Sequence, residues 1–226
     1  LLITADMGVE TATRVTASVD ESLKRLKLSH IDLIQAHDIE FAPPDVLLGE
    51  TLPALEKLKT TGKVRHIGVT SFKLEVLKKL TAAARVDTVQ SYCRYCLTDI
   101  TLVRMLPHLK TRKIGVINAS PFAMGLLTEK GPPVWHPAPA DYRDLCARAV
   151  DHCKKRKRDL AKLALQFSVS NLDIATTLVG TSSVKKLKQD VRWIAEPIEE
   201  ALLAEVQSVL KPILNSSWLG GLENNP

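Results

Sequence analysis

The stretch His30–Phe41, which reads HIDLIQAHDIEF, predicts how this chain folds. Its first part, His30–Ala36, is short and largely apolar, as is typical of a buried β-strand. The strand ends in charge, because His37 and Asp38 follow it directly. Parallel α/β proteins carry their reactive side chains at the carboxyl ends of their strands. The stretch therefore predicts a parallel α/β fold with His37 and Asp38 at its functional edge.

The same order of buried strand, polar tip and helix repeats along the chain. The predicted strands are Leu1–Thr4, His30–Ala36, Val64–Val69, Val86–Gln90, Ile114–Ala119 and Ile174–Val179. The predicted helices are Thr13–Leu28, Leu47–Thr60, Leu74–Ala84, Thr98–Lys110, Tyr142–Lys155, Asp159–Ser168, Val184–Ile194 and Glu199–Leu210. Such an alternation predicts a parallel sheet with helices outside it. The polar strand tips are typical of the functional face of a (β/α)₈ barrel.

The composition is that of a globular protein of 226 residues, 45% of them hydrophobic. No apolar run is long enough to span a bilayer and no secretory leader is recognisable, so a cytoplasmic location is expected. The net charge is +6, and much of the excess lies in Lys154–Arg158, which reads KKRKR. Such a run can bind nucleic acid. Because no aromatic residues alternate with it, we interpret it as a solvated helix end and expect neither nucleic-acid nor membrane partners.

The four cysteines include one C-x-x-C, formed by Cys93 and Cys96. A zinc site needs a second ligand pair at suitable spacing. Cys146 and Cys153 stand seven residues apart, which places them on one helix face and favours packing over metal binding. We therefore expect reduced thiols and no metal site, as is usual in the cytosol.

Several segments, in this order, resemble the aldo-keto reductases, whereas no G-x-G-x-x-G of a Rossmann fold follows any strand. They are HDIEF at 37–41, GVTSF at 68–72, QSY at 90–92, ASPFAMGLLT at 119–128, GPPVWHP at 131–137 and LVGTSS at 178–183. The resemblance covers nearly the whole chain from about Thr13 onward. The first, fourth and fifth segments are similar to a plant-type subgroup that oxidises an aldose such as L-galactose to its lactone.

The resemblance implies an aldo-keto reductase (β/α)₈ barrel lacking its first two to three strand–helix units. It implies a single domain over residues 1–226, of which 211–226 form an irregular tail. It further implies NAD or NADP bound across the C-terminal face, and hydride transfer between nicotinamide and a carbonyl or alcohol carbon. The family tetrad is Asp, Tyr, Lys and His, and His37 matches its histidine, which orients the substrate oxygen.

The resemblance also assigns the cofactor-binding residues. Thr70, Ser71 and Gln90 match the positions that hydrogen-bond the nicotinamide amide. The positions near the ribose, pyrophosphate and phosphate groups are matched by Ser120, Pro121, Phe122, Gly180, Thr181 and Ser182. Individually, the hydroxyl residues could be caps and Gln90 a buried amide. Their order on successive strand tips favours a cofactor face.

Two further positions bear on the choice between NAD and NADP. Lys186 falls where NADP-preferring relatives place an arginine for the 2′-phosphate. Asp190 falls where many relatives have an adenine-binding asparagine, and its charge repels a nearby phosphate. The two residues therefore act in opposite directions. In the long loop 125–139, Trp135 and His136 either line the substrate mouth or pack the loop.

The resemblance also shows what the sequence lacks. With Leu1–Thr4 as the third barrel strand, the tetrad lysine position falls at about Ala5, and no Asp–Tyr pair precedes it. By its family the expected protein is an oxidoreductase with a small-molecule sugar or carbonyl substrate, monomeric or weakly dimeric, but the absence of the tetrad Asp, Tyr and Lys argues against activity of this chain alone. The alternative is a catalytically incomplete pseudoenzyme or interaction subunit that retains part of the cofactor face. An open barrel exposes apolar edges, so we expect the chain alone to be unstable or to aggregate.

Overall fold

The structure is a computed structural model that describes residues 4–216 and Trp218. The chain divides into two compact units. Unit 1 consists of Leu1–Ser91 and Pro107–Val116, and unit 2 consists of Tyr92–Leu106 and Ile117–Pro226.

Strands and helices alternate along the described chain. The strands are β1 (Thr4–Met7), β2 (Ile31–Ala36), β3 (Val64–Thr70), β4 (Thr88–Tyr92), β5 (Gly115–Ala119) and β6 (Thr176–Leu178). The helices are α1 (Ala12–Leu26), α2 (Pro44–Val46), α3 (Leu52–Thr60), α4 (Leu74–Ala83), α5 (Leu106–Thr111), α6 (Ala140–Lys155), α7 (Leu160–Ser168), α8 (Val184–Ala195) and α9 (Glu200–Leu210). A π-helical segment, Leu47–Thr51, joins α2 to α3. Single 3-10 turns occupy Ile39–Phe41, Thr101–Met105, Ala123–Gly125 and Lys211–Ile213.

Most predicted elements are confirmed, and two are corrected. The first strand is Thr4–Met7 rather than Leu1–Thr4, and residues 1–3 lie outside the described residues. The helix predicted over Thr98–Lys110 is a 3-10 segment followed by the short α5. Pro107 explains the second correction, because its ring clashes with the carbonyl group four residues earlier and so excludes an α-helix across this point. The tail begins with the 3-10 turn, and residues 217 and 219–226 lie outside the described part.

In unit 1, β1 to β4 pair in parallel in sequence order. All six residues of β2 are buried, as expected for a strand of a parallel sheet covered on both faces. Helix α1 buries Val15, Val19 and Leu23, whose spacing of four residues places them on one helix face. Helix α3 buries Leu52, Leu55 and Leu58, and α4 buries Leu77 and Leu80. Helix α3 packs against β3, and α1 packs against α3.

In unit 2, Ile117–Ala119 of β5 pairs in parallel with β6. Helices α6 and α9 contact each other, and α7 contacts α8. The loop after β4 contains a partly buried ion pair, in which Arg94 Nη1 lies 3.1 Å from Asp99 Oδ2. The tail is attached to this loop, because the Ile100 N–H donates to Asn215 Oδ1 at 2.9 Å.

Helix α8 differs from the other long helices because it buries none of its residues. Its apolar side chains recur at intervals of three or four residues and therefore share one face. Their exposed fractions are 71% for Val184, 49% for Leu187, 57% for Val191 and 47% for Ile194. The neighbouring strand β6 is also open, with Leu178 45% exposed. Among the residues that the structure describes, none covers this apolar surface of unit 2, here called the α8 face and defined by these four helix residues.

Candidate functional site

His37 lies directly beyond the carboxyl end of β2, where the sequence predicts it. Its backbone N–H donates to the Met7 carbonyl group at 2.7 Å, which extends the pairing of β1 with β2. The His37 side chain is 44% exposed, and its Nδ1 atom lies 3.3 Å from Asp38 Oδ2. Asp38 has a φ angle of 50°, in the left-handed region that aspartate tolerates better than most residues. The turn leaves the His37 imidazole accessible to a ligand.

The tips of β2 and β3 are tied together at two points. The Asp38 N–H donates to Thr70 Oγ1 at 2.8 Å, and the Phe72 N–H donates to Glu40 Oε1 at 2.8 Å. Sequence reasoning missed Glu40 as part of this edge. The only available signal was its place three residues after His37, in the HDIEF segment.

Thr70 is the last residue of β3 and Ser71 follows it directly, and both are fully buried. The Thr70 hydroxyl accepts the Asp38 N–H, so its own proton is the group it can donate. The Ser71 hydroxyl accepts the Lys73 N–H at 3.0 Å and donates to the Lys73 carbonyl group at 3.2 Å, which shapes the turn into α4. The structure therefore shows a local structural role for Ser71, and its cofactor contact stays a prediction.

Gln90 lies on β4 beside Thr70, with which it is paired in register. The Ser71 N–H donates to the Gln90 carbonyl group at 3.1 Å. The Gln90 side chain is 7% exposed, and its Oε1 accepts Gln35 Nε2 at 3.0 Å. The structure thus brings together the three residues predicted to bind the nicotinamide amide.

The loop after β5 carries Ser120, Pro121 and Phe122 within unit 2. Ser120 has a φ angle of 59°, and the nearby Ala123 and Met124 have φ angles of 46° and 53°. Left-handed conformations in non-glycine residues cost free energy and concentrate at functional sites. The loop is thus held in a sharply bent form.

The N-terminus of α8 is suited to binding an anion. The first turn contains no acidic residue, and Ser183 caps it by accepting the Lys186 N–H at 3.3 Å. Just before it, Thr181 Oγ1 accepts the Ser183 N–H at 3.2 Å. Unpaired N–H groups and the helix dipole favour negative charge at such an end. Gly180 has no atom within 4 Å of the place a Cβ would take, so its surroundings are open.

A cleft of about 540 Å³ opens beside this helix end. Predicted site residues among its lining are Phe122, Gly180, Thr181, Ser182, Lys186 and Asp190. Burial raises the pKa of Asp190, while the nearby Lys186 acts in the opposite direction. The structure therefore brings together the predicted phosphate- and adenine-binding residues of unit 2.

His136 packs the long loop of unit 2. It is 2% exposed, its Nδ1 accepts the Ala138 N–H at 3.0 Å, and its Nε2 lies 3.3 Å from the Ala123 carbonyl oxygen. Burial lowers the pKa of His136, the Ala123 carbonyl group opposes this, and Arg143 adds to it. Trp135 is instead 70% exposed. Of the two interpretations given for this loop, His136 fits the packing one.

The basic run at Lys154–Arg158 is largely paired with carboxylates. The pairs are Lys154–Glu129 at 3.5 Å, Arg156–Glu205 at 2.9 Å and Arg158–Glu199 at 2.7 Å. This pairing favours its interpretation as a solvated helix end. Within residues 4–216 and Trp218, no group of three or more metal-binding side chains is found. Nor does the described part include a helix long and apolar enough to cross a lipid bilayer.

Comparison with known proteins places this architecture in a family. The aldo/keto reductase family model matches residues 6–211. The aldo-keto reductase AKR11C1 from Bacillus halodurans, in its holo form, superposes with a TM-score of 0.75 at 22% identity, covering 97% of this chain and 74% of that protein. The two proteins therefore share the aldo-keto reductase fold.

Three characterised relatives are dehydrogenases. The L-galactose dehydrogenase of Arabidopsis thaliana is 43% identical over 221 residues, which are 95% of this chain and 69% of the relative. The D-threo-aldose 1-dehydrogenase of a Pseudomonas species is 30% identical over 85% of this chain and 60% of the relative. The D-arabinose 1-dehydrogenase of Saccharomyces cerevisiae is 30% identical over 77% of this chain and 55% of the relative. The chain is accordingly a member of the aldo/keto reductase family, a family of oxidoreductase enzymes.

Proposed function

We propose that the protein takes part in hydride transfer between a nicotinamide cofactor and an aldose, with L-galactose oxidised to its lactone as the favoured reaction. The observation that carries this proposal is the 43% identity to an L-galactose dehydrogenase over 95% of the chain. Two further relatives, each 30% identical, are a D-threo-aldose 1-dehydrogenase and a D-arabinose 1-dehydrogenase. The half-exposed His37 at the end of β2 supplies a side chain that can hydrogen-bond the substrate oxygen.

His37 is the residue that we assign to the reacting oxygen. Its imidazole can hydrogen-bond the substrate oxygen and stabilise the charge that develops there during the reaction. Asp38 and Thr70 hold the turn that presents this ring. The cofactor, when bound, supplies the hydride chemistry, and the protein supplies orientation and electrostatics.

Each unit, taken by itself, offers groups that suit one part of a nicotinamide dinucleotide. In unit 1, Gln90 and the Thr70 hydroxyl offer donors suited to a carboxamide. In unit 2, the N-terminus of α8 with Lys186 offers N–H groups and positive charge suited to a phosphate. Lys186 favours NADP and Asp190 opposes a second phosphate, so we propose that both cofactors bind with modest discrimination. Lys186→Ala is then expected to weaken NADP binding by about tenfold relative to NAD.

We further propose that the fold is a (β/α)₈ barrel of which this chain forms the later strand–helix units, the first two to three being absent. The uncovered α8 face and the exposed β6 support this, because in a closed barrel the last unit packs against the first. An open form is also consistent with the expected tendency to aggregate.

The alternative is a pseudoenzyme or interaction subunit that binds cofactor without turnover. The sequence from β1 to the start of α1 favours it, since no lysine ends or follows β1 (Thr4–Met7) before Lys24, and the tetrad lysine is therefore missing there. We also propose a small-molecule substrate, a monomer or weak homodimer, and a cytoplasmic location. The four cysteines, all unpaired in the structure, support a reducing compartment.

Two measurements on the same protein test these proposals. Calorimetry with NAD and NADP is expected to show binding. Absorbance of the reduced nicotinamide after addition of L-galactose then distinguishes turnover from binding alone. His37→Ala is expected to lower the turnover rate by about 10²–10⁴-fold with cofactor affinity retained. Binding without turnover would establish the pseudoenzyme alternative. Failure to bind either cofactor would show that the proposed function is wrong.

A further inference from the structure

A buried amide pair connects two strands of unit 1 that are not neighbours. Gln35 lies on β2, is 2% exposed, and pairs in register with Gly68 on β3. Gly68 in turn pairs with Thr88 on β4. The Gln35 side chain nevertheless reaches Gln90 on β4, where its Nε2 donates to Gln90 Oε1 at 3.0 Å. It therefore passes across β3 to do so.

Gly68 makes that crossing possible. A Cβ atom at this position would lie 2.3 Å from Thr88 Oγ1, and 3.1 Å and 3.2 Å from Oε1 and Cγ of Gln35. The shortest of these distances is far below any ordinary contact with a Cβ. Any other residue at position 68 would push Gln35 or Thr88 aside. Because Gly68 has no side chain, it leaves the space through which Gln35 reaches β4.

The bond decides which atom Gln90 can offer to a ligand. A glutamine amide has a donor end and an acceptor end, and turning it by half a revolution exchanges them. Gln35 Nε2 is a donor, so it holds the Gln90 acceptor, Oε1, toward the sheet. The Gln90 Nε2 group is then left to donate. A partner that accepts at this place, such as the oxygen of a carboxamide, is favoured.

We infer that Gln35, crossing over Gly68, is a positioning residue that fixes the amide of Gln90 so that its Nε2 donates to the nicotinamide carboxamide oxygen. The inference rests on the proposed function, because it needs Gln90 to contact the nicotinamide. It goes further, since it assigns roles to Gln35 and Gly68 and a direction to the hydrogen bond of Gln90. A purely structural amide pair would stabilise the sheet and leave ligand selectivity unchanged.

The test compares two ligands that differ only in the nicotinamide. Calorimetry gives the affinities of the protein for NAD and for ADP-ribose. The ratio of the NAD affinity to the ADP-ribose affinity measures what the nicotinamide contacts contribute to binding. Gln35→Met, which keeps the length of the side chain without its polar groups, is expected to lower the NAD affinity by about 3- to 10-fold. The affinity for ADP-ribose is expected to stay unchanged. Gln90→Met is expected to lower the ratio at least as much.

The double variant tests whether Gln35 acts through Gln90. If it does, Gln35→Met combined with Gln90→Met lowers the ratio no further than Gln90→Met alone, because the amide that Gln35 orients is already gone. Gly68→Ala provides an independent route, since the added Cβ would lie 2.3 Å from Thr88 Oγ1 and 3.1 Å from Gln35 Oε1 and so crowds the crossing without altering either amide. It is expected to lower the ratio in the same direction.

Thr81→Val is the matched control. Thr81 is fully buried in unit 1, donates to the Leu77 carbonyl group at 2.8 Å, and contacts His108 Nε2 at 2.9 Å. Its replacement removes buried hydrogen bonds without touching the amide pair, so the ratio is expected to stay at the wild-type value.

The outcomes separate the inference from the proposal beneath it. A reduced ratio in Gln90→Met with an unchanged ratio in both Gln35→Met and Gly68→Ala would overturn the inference and leave the proposed function in place. The inference would also be overturned if the affinity ratio of the double variant fell by the combined effect of the two single variants. A wild-type protein that binds ADP-ribose but gains nothing from the nicotinamide would overturn the contact at Gln90 and the inference with it. No binding of NAD or NADP would overturn the proposed function itself.

Discussion

The strands β2 to β4 of unit 1 and the β6–α8 segment of unit 2 are both strand–helix arrangements, yet they are packed very differently. All six residues of β2 are buried, and α4 buries Leu77 and Leu80. In β6 no residue is buried, and in α8 none is buried either. The two regions share an amphipathic design, but within the described chain only the first has its apolar face covered.

Helix α8 has the apolar spacing of a helix that packs against a neighbour, yet its apolar face is exposed. Its apolar residues keep the spacing of a buried face. The helix itself is held by α7, because Gln166 Nε2 donates to the carbonyl groups of Trp193 and Glu196 at 2.9 Å and 2.8 Å. The uncovered face therefore contributes little free energy of folding in this form, and its substitutions should behave as surface changes.

The largest expected effect comes from truncating one leucine in each region. Leu77→Ala is expected to lower the free energy of unfolding by about 2–5 kcal/mol, since it leaves a cavity in a fully buried site. Leu187→Ala, at a site that is 49% exposed, is expected to cost below about 1 kcal/mol. Urea titration of both variants measures the two values. Similar losses would mean that the α8 face is covered in solution, by a second copy of the chain or another partner.

A glycine in each region gives the next largest contrast. Gly68→Ala is expected to destabilise the protein by about 1–3 kcal/mol, because the new Cβ has no room beside Thr88. Gly180→Ala is expected to change the free energy of unfolding by less than about 0.5 kcal/mol, since its surroundings are open. Thermal melting of the pair is sufficient. If Gly68→Ala left the free energy of unfolding unchanged, Thr88 and the Gln35 side chain would be able to move aside at little cost.

The smallest effect concerns two aspartates whose pKa values are shifted in opposite directions. Burial alone would raise the pKa of Asp87, but hydrogen bonds from Lys59 Nζ at 2.6 Å and from the Ile67 N–H at 2.8 Å lower it overall. Asp87 therefore stabilises the fold above pH 3.8, its ordinary pKa, and that stability is lost as the pH falls through the lower folded-state value.

The pKa of Asp190 in unit 2 is shifted in the opposite direction. Burial raises its pKa, so ionisation disfavours the folded state as the pH rises through 3.8 to the folded-state value. Asp87→Asn is thus expected to flatten the loss of stability on acidification. Asp190→Asn is expected to leave stability at neutral pH equal or slightly higher. Urea titrations at several pH values check both signs, and a parallel response of the two variants would contradict the assignment.

Much of unit 1 was predictable from sequence, because strand β2 and its helices show their packing in local hydrophobic spacing. The place of His37 follows from the end of β2, and the order of Thr70, Ser71 and Gln90 follows from successive strand tips. The bond between Gln35 and Gln90 was not predictable, since it joins residues 55 positions apart across an intervening strand. No local pattern marks Glu40 as a tie between strand tips either. The exposure of α8 was not predictable either, because hydrophobic spacing identifies an apolar helix face but does not show whether another element packs against it.

The four buried cysteines have a practical consequence for unit 2. All of them lie in this unit, and unit 1 contains none. Burial raises the pKa of all four thiols, to about 11 for Cys153 and about 12 for Cys146. Because the thiolate is the reactive form, alkylation in the folded state must await local opening of the chain. The rate at which a thiol reagent modifies the protein therefore reports the opening of unit 2 alone, and comparing it with amide hydrogen exchange in β2 would separate the unfolding of one unit from that of the other.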